Sequence, residues 1–599
     1  MDKKWIIKEK QEYTKNNPGL HPVIFRLLAN RGFSVDEIEK FLKLDYKENL
    51  HDPFLFKNMK AAVELIFKHM KNGSRIIIYG DYDADGVTAT AVMQKTLEFL
   101  GCKNLDIYIP HRESEGYGIN KSAVEEIAKS GASLIITVDT GIRSIGEVAL
   151  AKEKGMDVVL TDHHECGEQV PDCLIINPKV NGEKYPFRDL AGVGVAFKVS
   201  QALLYARENH AQHNAKQREK EGFEKWLLDL VAIGTIADLM PLVNENRVLV
   251  NYGLVVLNKT QRIGIKKLME TAQSDTDKNG NKREVDAWQI GYQLAPRLNA
   301  AGRLGRANTA YELLITEDKQ EATEIAHKLD NTNKERQNIT QEIFEQAEQE
   351  INKKNKILFA VYNGEQKNAW SSGVMGLVAG KLTEKYYRPS LAITSKIGND
   401  GLEIVGSARS IAEFNITSML EECGELLSHY GGHKQAAGFT IKPGKLDEFL
   451  AKAKKITEHE LKDVELIPAL EIDLEINFND VSEDLYEALQ KLRPFGVKNA
   501  QPKFVSKNLK VINAVKMGNE QQHLKLQVTS YKSQKLSAVG FSVLEEWKKI
   551  KIGDEIDLVY YIDMNEWNGR REVQLKIIDL KNNSNIQMNS NTSNTNNSN

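Results

Sequence analysis

Residues 76–88, IIIYGDYDADGVT, place three carboxylates on alternate positions directly after a short apolar run. The run Arg75–Tyr79 has the length and apolar character of a buried β-strand, and Asp81, Asp83 and Asp85 follow where that strand ends. An ionised carboxylate is costly to remove from water unless a positive charge is near, and several together cost more. If this stretch is buried, it therefore requires a cation.

Two other interpretations of the stretch are available. The pattern D-x-D-x-D-G opens an EF-hand calcium loop, but that loop follows a helix and closes with a Glu at a position that is Val92 here. The calcium-sensor interpretation therefore fails. A solvated, Asp-rich turn is common, and the three acids by themselves do not exclude it.

Length and charge set broad limits on the whole chain. Its 599 residues exceed one hydrophobic core and suggest about three to five domains. The formal net charge of −3 gives no global basic signature, so any nucleic-acid surface would be a local groove. The four cysteines form no C-x-x-C pair, which argues against a disulfide scaffold or a thiolate zinc site.

The sequence predicts a soluble, cytoplasmic protein without membrane contact. The N-terminus, MDKKWIIKEKQEYTKNN, lacks the apolar core of a signal peptide, and no run of about 18 apolar residues occurs. The scattered cysteines favour a reducing compartment.

Apolar runs alternate with amphipathic helical stretches between about residues 70 and 240. Strands that are apolar throughout and separated by helices predict a parallel α/β sheet covered on both faces. The predicted strands are Arg75–Tyr79, Leu105–Ile109, Leu134–Val138, Val158–Leu160 and Leu174–Ile176.

Three further patterns follow along the chain. A narrow apolar stripe from Asp318 to Lys354 predicts a helix of about 35 residues, roughly 50 Å long, that joins two regions. A second α/β region extends to about residue 455. Alternating segments between residues 465 and 581 predict five strands of an OB-type barrel, although another small barrel or a sandwich has the same pattern. The Asn/Ser-rich end is predicted to be disordered.

Acids and imidazoles recur where strands of the first predicted sheet end. The carboxyl ends of parallel strands border the ligand crevice of an open sheet, so these side chains are predicted to meet at one edge. A lone acid also interrupts the apolar segment LVAIGTIADLMPL. The residues are Asp81, Asp83, Asp85, Asp139, Asp162, His163, His164 and Asp238.

This composition favours a particular metal chemistry. Oxygen and neutral imidazole ligands without thiolate favour Mn²⁺ or Mg²⁺ over zinc or iron. Two such ions about 3.5–4 Å apart can activate a water molecule and stabilise both oxygens of a phosphoester displacement.

Each of these residues also has a purely structural explanation when it is considered alone. The dipeptide His163–His164 can lie in a surface loop, and Asp139 can cap the helix that follows it. Asp238 can be a buried acid that is satisfied by hydrogen bonds. The repeated position after strands favours the metal interpretation over these alternatives.

The motifs DYDADG, VDTG, TDHHE and GTIADLMPL, in this order, resemble the DHH phosphoesterase superfamily. Further segments resemble the RecJ family of single-strand-specific DNA exonucleases within it. They are IPHRESEGYGIN, LAGVGVAFK, QLAPRLNAAGRLG, LDNTNKERQ, WSSGVMGLVAGKL, VGSARSI, YGGHKQAAGFTI and LRPFGVKNAQPKF, and the match extends over about residues 60 to 580.

The resemblance implies a domain order for the chain. The predicted ranges are a helical lead-in at 1–55, a DHH catalytic domain at 56–317 and the long connecting helix at 318–355. A DHH-associated, substrate-binding domain at 356–455, an OB-fold nucleic-acid-binding domain at 456–582 and a disordered tail at 583–599 complete it.

The resemblance also implies a ligand for each of two metal ions. Asp83 would hold the first ion and Asp85 the second, with Asp139 between them and His163 and Asp238 completing the second site. Asp81 and His164 are candidates for a ligand, for a residue that supports one, or for a phosphate contact. Many superfamily members carry a His where this chain has Tyr79, which leaves the ligands of the first ion less defined.

Substrate-binding residues are implied in the matched segments as well. In VGSARSI, Gly406 allows close backbone approach, Ser407 offers a hydroxyl, and Arg409 can pair with phosphate oxygens in a bidentate manner. The full predicted set is Arg112, Arg303, Gln337, Ser407, Arg409 and His433.

The implied activity is hydrolysis of single-stranded DNA from its 5′ end to mononucleotides with Mn²⁺ or Mg²⁺, in recombination and repair. Single-strand-binding protein and a helicase are the implied partners, and the chain is expected to be a monomer. A DHH phosphodiesterase or pyrophosphatase of small substrates shares this chemistry but has little use for the β region after residue 465. A non-catalytic single-strand-binding scaffold is the other alternative, although no metal-ligand acid is missing.

Overall fold

The structure of the protein, a computed structural model, describes residues 3–8, 19–111, 115, 118–208, 222–274, 283–304, 308–362, 364, 369–398, 401–530, 534–567 and 570–583. The chain divides into two compact units. The barrel unit comprises residues 1–49, 242–244 and 468–599, and the sheet unit comprises residues 50–241 and 245–467. The predicted disordered tail lies outside the described residues from position 584 onward.

The N-terminal part of the barrel unit contains one strand and two helices. They are β1 (Lys4–Ile7), α1 (Pro22–Asn30) and α2 (Val35–Leu42). Ser34 begins α2 with a capping box to Glu37. β1 pairs in parallel with Ala469–Ile472, so the segment predicted as a helical lead-in also contributes a strand.

The sheet unit opens with the five predicted parallel strands, each within one or two residues of its predicted range. They are β2 (Ile76–Tyr79), β3 (Leu105–Tyr108), β4 (Leu134–Val138), β5 (Asp157–Thr161) and β6 (Leu174–Ile176). The helices of this region are α3 (Met59–Lys71), α4 (Ala84–Phe99), α5 (Lys121–Lys129), α6 (Ile145–Glu153) and α7 (Gly192–Glu208).

The strand order of this sheet is β3-β2-β4-β5-β6. The chain leaves β2 toward one edge and returns to β4 on the other side, so two neighbouring strands carry connections that run in opposite directions. Such a reversal opens a crevice at the carboxyl ends of the strands. Asp81 follows β2 and Asp139 follows β4, so both acids flank this crevice.

A helical region follows the first sheet. It consists of α8 (Leu228–Ala237), α9 (Asn244–Leu257), α10 (Ile263–Ala272), α11 (Ala287–Gln289), a π-helix (Ile290–Leu294), α12 (Ala295–Leu304), α13 (Asn308–Ile315) and α14 (Lys319–Glu350). The predicted long helix is confirmed as α14, which has 32 residues, and Asp318 caps it by accepting a hydrogen bond from the Glu321 amide.

A second, mixed sheet of five strands completes the sheet unit in the order β10-β11-β9-β8-β7. Its strands are β7 (Leu358–Val361), β8 (Ser390–Gly398), β9 (Gly401–Arg409), β10 (Leu427–His433) and β11 (Ala436–Ile441). β7 and β8 are parallel, and the other pairs are antiparallel. Its helices are α15 (Met375–Tyr386), α16 (Ile416–Glu422) and α17 (Leu446–Glu460).

The barrel unit contains the predicted five-stranded barrel. Its remaining elements are β12 (Ala469–Ile472), β13 (Leu474–Glu475), α18 (Glu483–Gln490), β14 (Phe504–Met517), β15 (His523–Thr529), β16 (Lys535–Gly540), β17 (Glu555–Trp567) and β18 (Arg570–Asn582). β14 pairs with both β15 and β17, so the strands close in the order β14-β15-β16-β18-β17. This closure rules out a sandwich and confirms the OB-type prediction. Among the described residues, no helix combines the length and apolarity needed to span a membrane.

A fully buried ion pair ties three segments of the sheet unit together. Lys198 Nζ lies 2.7 Å from Glu245 Oε1, and neither side chain has any solvent exposure. The Tyr185 hydroxyl donates to Glu245 Oε2 at 2.7 Å, and the His51 amide donates to Oε1 at 2.8 Å. Lys198 Nζ also donates to the His51 carbonyl at 2.9 Å. The carboxylate is thus surrounded by donors, as a buried charge requires.

We expect Glu245→Ala to lower the free energy of unfolding by about 3–5 kcal/mol, because it leaves the Lys198 ammonium buried without a counter-charge. Tyr185→Phe removes only one hydrogen bond to a charged group and should cost about 1.5–3 kcal/mol. Urea unfolding followed by circular dichroism measures both. Equal midpoints for Glu245→Ala and the unmodified protein would contradict a structural role for this pair.

Candidate metal centre and substrate pocket

The loop after β2 is shaped by the beginning of helix α4. The Asp83 carboxylate accepts hydrogen bonds from the amides of Asp85 and Gly86 at 2.9 and 3.1 Å, which makes Asp83 the N-cap. Asp81 is 3% and Asp85 is 1% exposed. A solvated, Asp-rich turn is therefore wrong for this stretch.

Asp85 contacts the first turn of α7. Its two oxygens accept hydrogen bonds from the amides of Gly192 and Val193 at 2.7 and 2.9 Å. The positive end of a helix stabilises a carboxylate. Burial and the neighbouring Asp83 nevertheless raise the pKa of Asp85 to about 7. The site therefore carries more negative charge than the backbone alone stabilises.

Asp139 lies at the carboxyl end of β4 in an unusual backbone conformation. Its φ is 61°, in the left-handed region that only a few non-glycine residues adopt. Helix α6 begins six residues later and Ser144 is its N-cap residue, so the helix-capping alternative for Asp139 is wrong. The side chain is buried, and burial together with Asp85 and Asp83 raises the pKa of Asp139 well above its usual range.

The two histidines after β5 have different surroundings because of Asp162. The buried Asp162 carboxylate accepts hydrogen bonds from the amides of Ile142, His163 and His164, and its Oδ1 lies 2.8 Å from His164 Nδ1. Burial lowers the pKa of His164, but the hydrogen bond to Asp162 and the negative charges of Asp162, Asp238 and Asp81 together raise it to about 9. Burial lowers the pKa of His163 to about 3, so its ring is neutral and suited to bind a metal. Neither ring lies free in a surface loop, so that alternative is wrong.

The neutral ring of His163 lies among three carboxylates. Its Nε2 is 3.2 Å from Asp139 Oδ1, 3.5 Å from Asp238 Oδ2 and 3.9 Å from Asp85 Oδ2. Asp238 ends α8 as its C-cap residue, and its Oδ2 makes no hydrogen bond within the described residues. Burial and Asp85 raise the pKa of Asp238 to about 8. Asp238 is therefore not a structural acid satisfied by hydrogen bonds.

Ligand atoms in this region fall into three overlapping groups, each within 4.8 Å. Asp139 belongs to two of these groups, and His163 also belongs to two. The groups are Asp81, Asp83 and Asp139; Asp85, His163 and Asp238; and Asp139, His163 and His164.

These residues fit divalent cations on the chemistry of their atoms. Within the described residues, Asp139 Oδ1, Asp238 Oδ2 and His163 Nε2 are buried and make no hydrogen bond, although they lie close together. A buried polar atom without a partner is costly, and cations held between these atoms would remove that cost. The donors are oxygen and imidazole nitrogen, which suit Mn²⁺ or Mg²⁺.

Two glycines allow helices to pack directly against the acids. A Cβ on Gly192 would lie 2.3 Å from Asp139 Oδ1. A Cβ on Gly234 would lie 2.4 Å from Thr88 Oγ1 and 2.8 Å from Asp85 Oδ1. The amide of Gly192 can therefore approach Asp85 only because this position has no side chain.

Tyr79 stands where many superfamily members have a His, and its side chain is engaged by other residues of the protein. Its hydroxyl donates to the Gly118 carbonyl at 3.2 Å and accepts from Asn120 at 3.3 Å, and its ring stacks on Tyr108. The candidate ligands of the first ion are therefore carboxylates.

A pocket of about 150 Å³ lies in the second sheet region, lined by Ser372, Met375, Lys396, Val405, Gly406 and Ser407. A Cβ on Gly406 would lie 2.2 Å from the Phe439 ring, so only glycine fits between them. Lys396, which the sequence did not single out, supplies a cation to the pocket and is 3.3 Å from Glu403.

The other predicted substrate residues are placed differently. Arg409 lies against the first turn of α15 and donates to the Ala408 carbonyl at 2.8 Å. Gln337 is exposed on α14, and His433 is exposed at the end of β10; neither lines the pocket. Arg112 lies outside the described residues.

Helix α12 connects the acidic loop with the pocket. Asn299 Oδ1 accepts a hydrogen bond from the Ala84 amide at 2.8 Å, and Gly302 lies against the Tyr82 carbonyl. One residue further, Arg303 donates to the Gly373 carbonyl at 3.1 Å, next to pocket residue Ser372. Asn299 was not among the predicted residues. Asp162 was predicted to lie at this edge of the sheet, but no role as a ligand or as a support for the histidines was predicted for it.

Three family models match the chain. They are the DHH family N-terminal domain at residues 75–235, the DHHA1 domain at 354–459 and the RecJ OB domain at 472–579. These matches follow the order of the first sheet, the second sheet and the barrel.

Named relatives match over almost the whole length. The single-stranded-DNA-specific exonuclease RecJ of Bacillus subtilis is 40% identical over 93% of this chain and 68% of its own length. RecJ of Salmonella typhimurium is 32% identical over 96% of this chain and 98% of its own.

Crystal structures of RecJ from Thermus thermophilus show the same fold. The complex with Mn²⁺ has a TM-score of 0.76 and 25% identity, and it covers 96% of this chain and 79% of that chain. The complex with Mg²⁺ has a TM-score of 0.71 and 23% identity, with 96% and 78% covered.

We expect Gly192→Ala to weaken Mn²⁺ binding at least about tenfold, because its Cβ would displace the Asp139 carboxylate and the amide that holds Asp85. Gly194→Ala is the matched control in the same helix, since its Cβ would meet Leu190 Cδ2 at an ordinary 3.4 Å. Isothermal titration with MnCl₂ measures the affinity, and circular dichroism checks the fold. Unchanged Mn²⁺ affinity in Gly192→Ala would show that this contact does not shape the site.

Proposed function

The chain belongs to the RecJ family of single-stranded-DNA-specific exonucleases, and we infer that it is a metal-dependent exonuclease of single-stranded DNA. We further propose that it cuts from the 5′ end and releases mononucleotides, in DNA recombination and repair. The observation that carries the proposal is the set of three overlapping ligand groups, linked through Asp139 and His163, at the carboxyl edge of the first sheet.

Two of the three ligand groups would each hold one metal ion in the proposed reaction. Asp81, Asp83 and Asp139 would hold one ion, and Asp85, His163 and Asp238 would hold the other. When bound, such a pair of ions activates a water molecule and stabilises the attacking and leaving oxygens of a phosphodiester.

Hydrogen bonds within the protein orient the side chains of Asp85 and His164. The amides of Gly192 and Val193 fix Asp85, so its carboxylate keeps one orientation during the reaction. Asp162 holds the ring of His164 through Nδ1, and the His164 side chain is 38% exposed. We propose that His164 contacts the scissile phosphate or supports a ligand beside it.

The pocket lined by Ser407 and Lys396 is the proposed anchor for the 5′ phosphate. A hydroxyl and an ammonium group offer a hydrogen bond and positive charge to phosphate oxygens. Helix α12 contacts both the turn beside the pocket, through Arg303, and the acidic loop, through Asn299, so one helix bears on the proposed anchor and the metal centre. A fixed anchor supports cleavage from one end of a strand.

We also propose the finer points of the cellular role. The chain would act as a monomer in the cytoplasm, on strands opened by a helicase and covered by single-strand-binding protein. The OB-type barrel would contribute a surface that binds unpaired strand. We also propose that the chain has the domain ranges predicted from the sequence, from the helical lead-in at 1–55 to the tail at 583–599.

Two alternatives remain distinguishable by experiment. A phosphodiesterase or pyrophosphatase of small substrates would use the same acids but would not need the barrel. A non-catalytic scaffold would have no use for a site in which Asp139, Asp238 and His163 lie close together. In the described residues, buried polar atoms of these three side chains make no hydrogen bond.

We expect Asp139→Ala to reduce cleavage of a 5′-phosphorylated oligonucleotide in Mn²⁺ by more than about a hundredfold, because it removes a ligand shared by two groups. Binding of the strand should be largely retained. Asp172→Ala is the matched control, since the Asp172 side chain is 98% exposed and forms an ion pair with Lys152. A gel digest of end-labelled oligonucleotide measures cleavage, and full activity in Asp139→Ala would refute the proposed centre.

We expect the protein to degrade a long single strand from its 5′ end and to leave blunt duplex largely intact. Parallel reactions with 5′-labelled strand, 3′-labelled strand, blunt duplex, a dinucleotide and pyrophosphate test this. Faster turnover of the dinucleotide or pyrophosphate would favour the small-substrate alternative. Strand binding without cleavage of any of these in Mn²⁺ would favour the scaffold.

A further inference from the structure

Two aromatic rings stack on each other at the surface of the sheet unit. Trp288 on α11 and Tyr292 on the following π-helix have ring centroids 5.2 Å apart and planes inclined by 25°. They are 55% and 70% exposed. We call this pair the aromatic step.

The protein holds the aromatic step in a defined local structure. Asp286 and Gln289 form a capping box at the beginning of α11, which fixes the turn that carries Trp288. The π-helix Ile290–Leu294 follows directly. Single π-helical turns occur often at functional sites, and large exposed aromatic surface on a globular protein commonly marks a binding surface.

The aromatic step lies on elements that also build the metal centre. A Cβ on Gly291, which lies between the two rings in sequence, would be 3.6 Å from Ile236 Cγ2, and Ile236 is in the helix that Asp238 ends. The π-helix continues into α12, whose Asn299 binds the Ala84 amide next to Asp83. The step is therefore continuous with the helices that position the metal ligands.

We propose that the aromatic step stacks nucleobases of the single strand as it runs outside the metal centre. This inference rests on the proposed function. Every base has an apolar face, so stacking on Trp288 and Tyr292 would hold a strand of any sequence, as an exonuclease requires. Paired bases are already stacked within a duplex, so the step also favours unpaired strand.

Stacking on bases would give a role to Trp288 and Tyr292. These residues are neither candidate metal ligands nor cations that could bind phosphate. A phosphate-binding surface would offer cations, whereas these side chains offer flat rings with polar edges. Continuity with the metal-binding helices favours the substrate strand over a protein partner.

The test compares strand affinity in Trp288→Ala, Tyr292→Ala and the unmodified protein. A 5′-phosphorylated oligonucleotide with a 3′ fluorophore is titrated in excess chelator, which prevents cleavage, and anisotropy gives Kd. We expect each alanine variant to bind roughly tenfold more weakly, and Trp288→Phe to retain most of the affinity. Trp226→Ala is the matched control, because Trp226 is 43% exposed and lies before the opposite end of α8.

An oligonucleotide that carries abasic sites separates stacking from a general loss of structure. It keeps every phosphate but lacks the bases, so the alanine variants and the unmodified protein should bind it equally. The proposal is overturned if the alanine variants bind the normal strand with unchanged affinity, or if they lose the same affinity for the abasic strand. Cleavage by the unmodified protein in Mn²⁺ is scored separately, so failure of the proposed function would be seen independently of failure of the step.

Discussion

The convergence of buried carboxylates at the carboxyl edge of the first sheet is the constraint on which the rest of the sheet unit depends. Asp85, Asp139 and Asp238 surround the neutral ring of His163. Burial together with the charge of Asp85 raises the pKa values of Asp139 and Asp238. Such a cluster is unfavourable without cations. The fold supplies only partial compensation, through the amides at the beginning of α7 that bind Asp85. Divalent ions between the acids would balance the remaining negative charge. The stability of this region is therefore coupled to metal binding.

Close packing around the acids has a functional consequence. Gly192 and Gly234 let two helices approach Asp139 and Asp85 to distances that no side chain permits. Asp85 is thereby held by the backbone amides of Gly192 and Val193 at the beginning of a helix. Helix α12 extends this rigidity, since Asn299 binds the acidic loop and Arg303 binds the turn beside the pocket. A candidate metal centre and a proposed phosphate anchor that contact the same helix would keep a constant separation, which suits removal of one nucleotide at a time.

Much of the candidate site was predictable because strand ends leave a strong local pattern. Apolar runs followed by Asp81, Asp139 and His163 identify three neighbouring strand ends, and the structure brings these residues together. Asn299 gave no such signal, because an Asn within a helical segment looks like any exposed polar residue. Its role depends on a hydrogen bond to Ala84, which is 215 residues away in the chain.

By itself, the sequence determined the parallel sheet, the long helix, the strands of the barrel and the set of candidate acidic and imidazole ligands. These features follow from local periodicity and from residues that adjoin one another in the chain. Tertiary structure decided the closure of β14 on β17, the parallel pairing of β1, and the engagement of the Tyr79 hydroxyl by Gly118 and Asn120. It also decided which glycines touch the acids. Contacts between distant segments depend on how elements pack in three dimensions, and single-sequence periodicity carries no record of that packing.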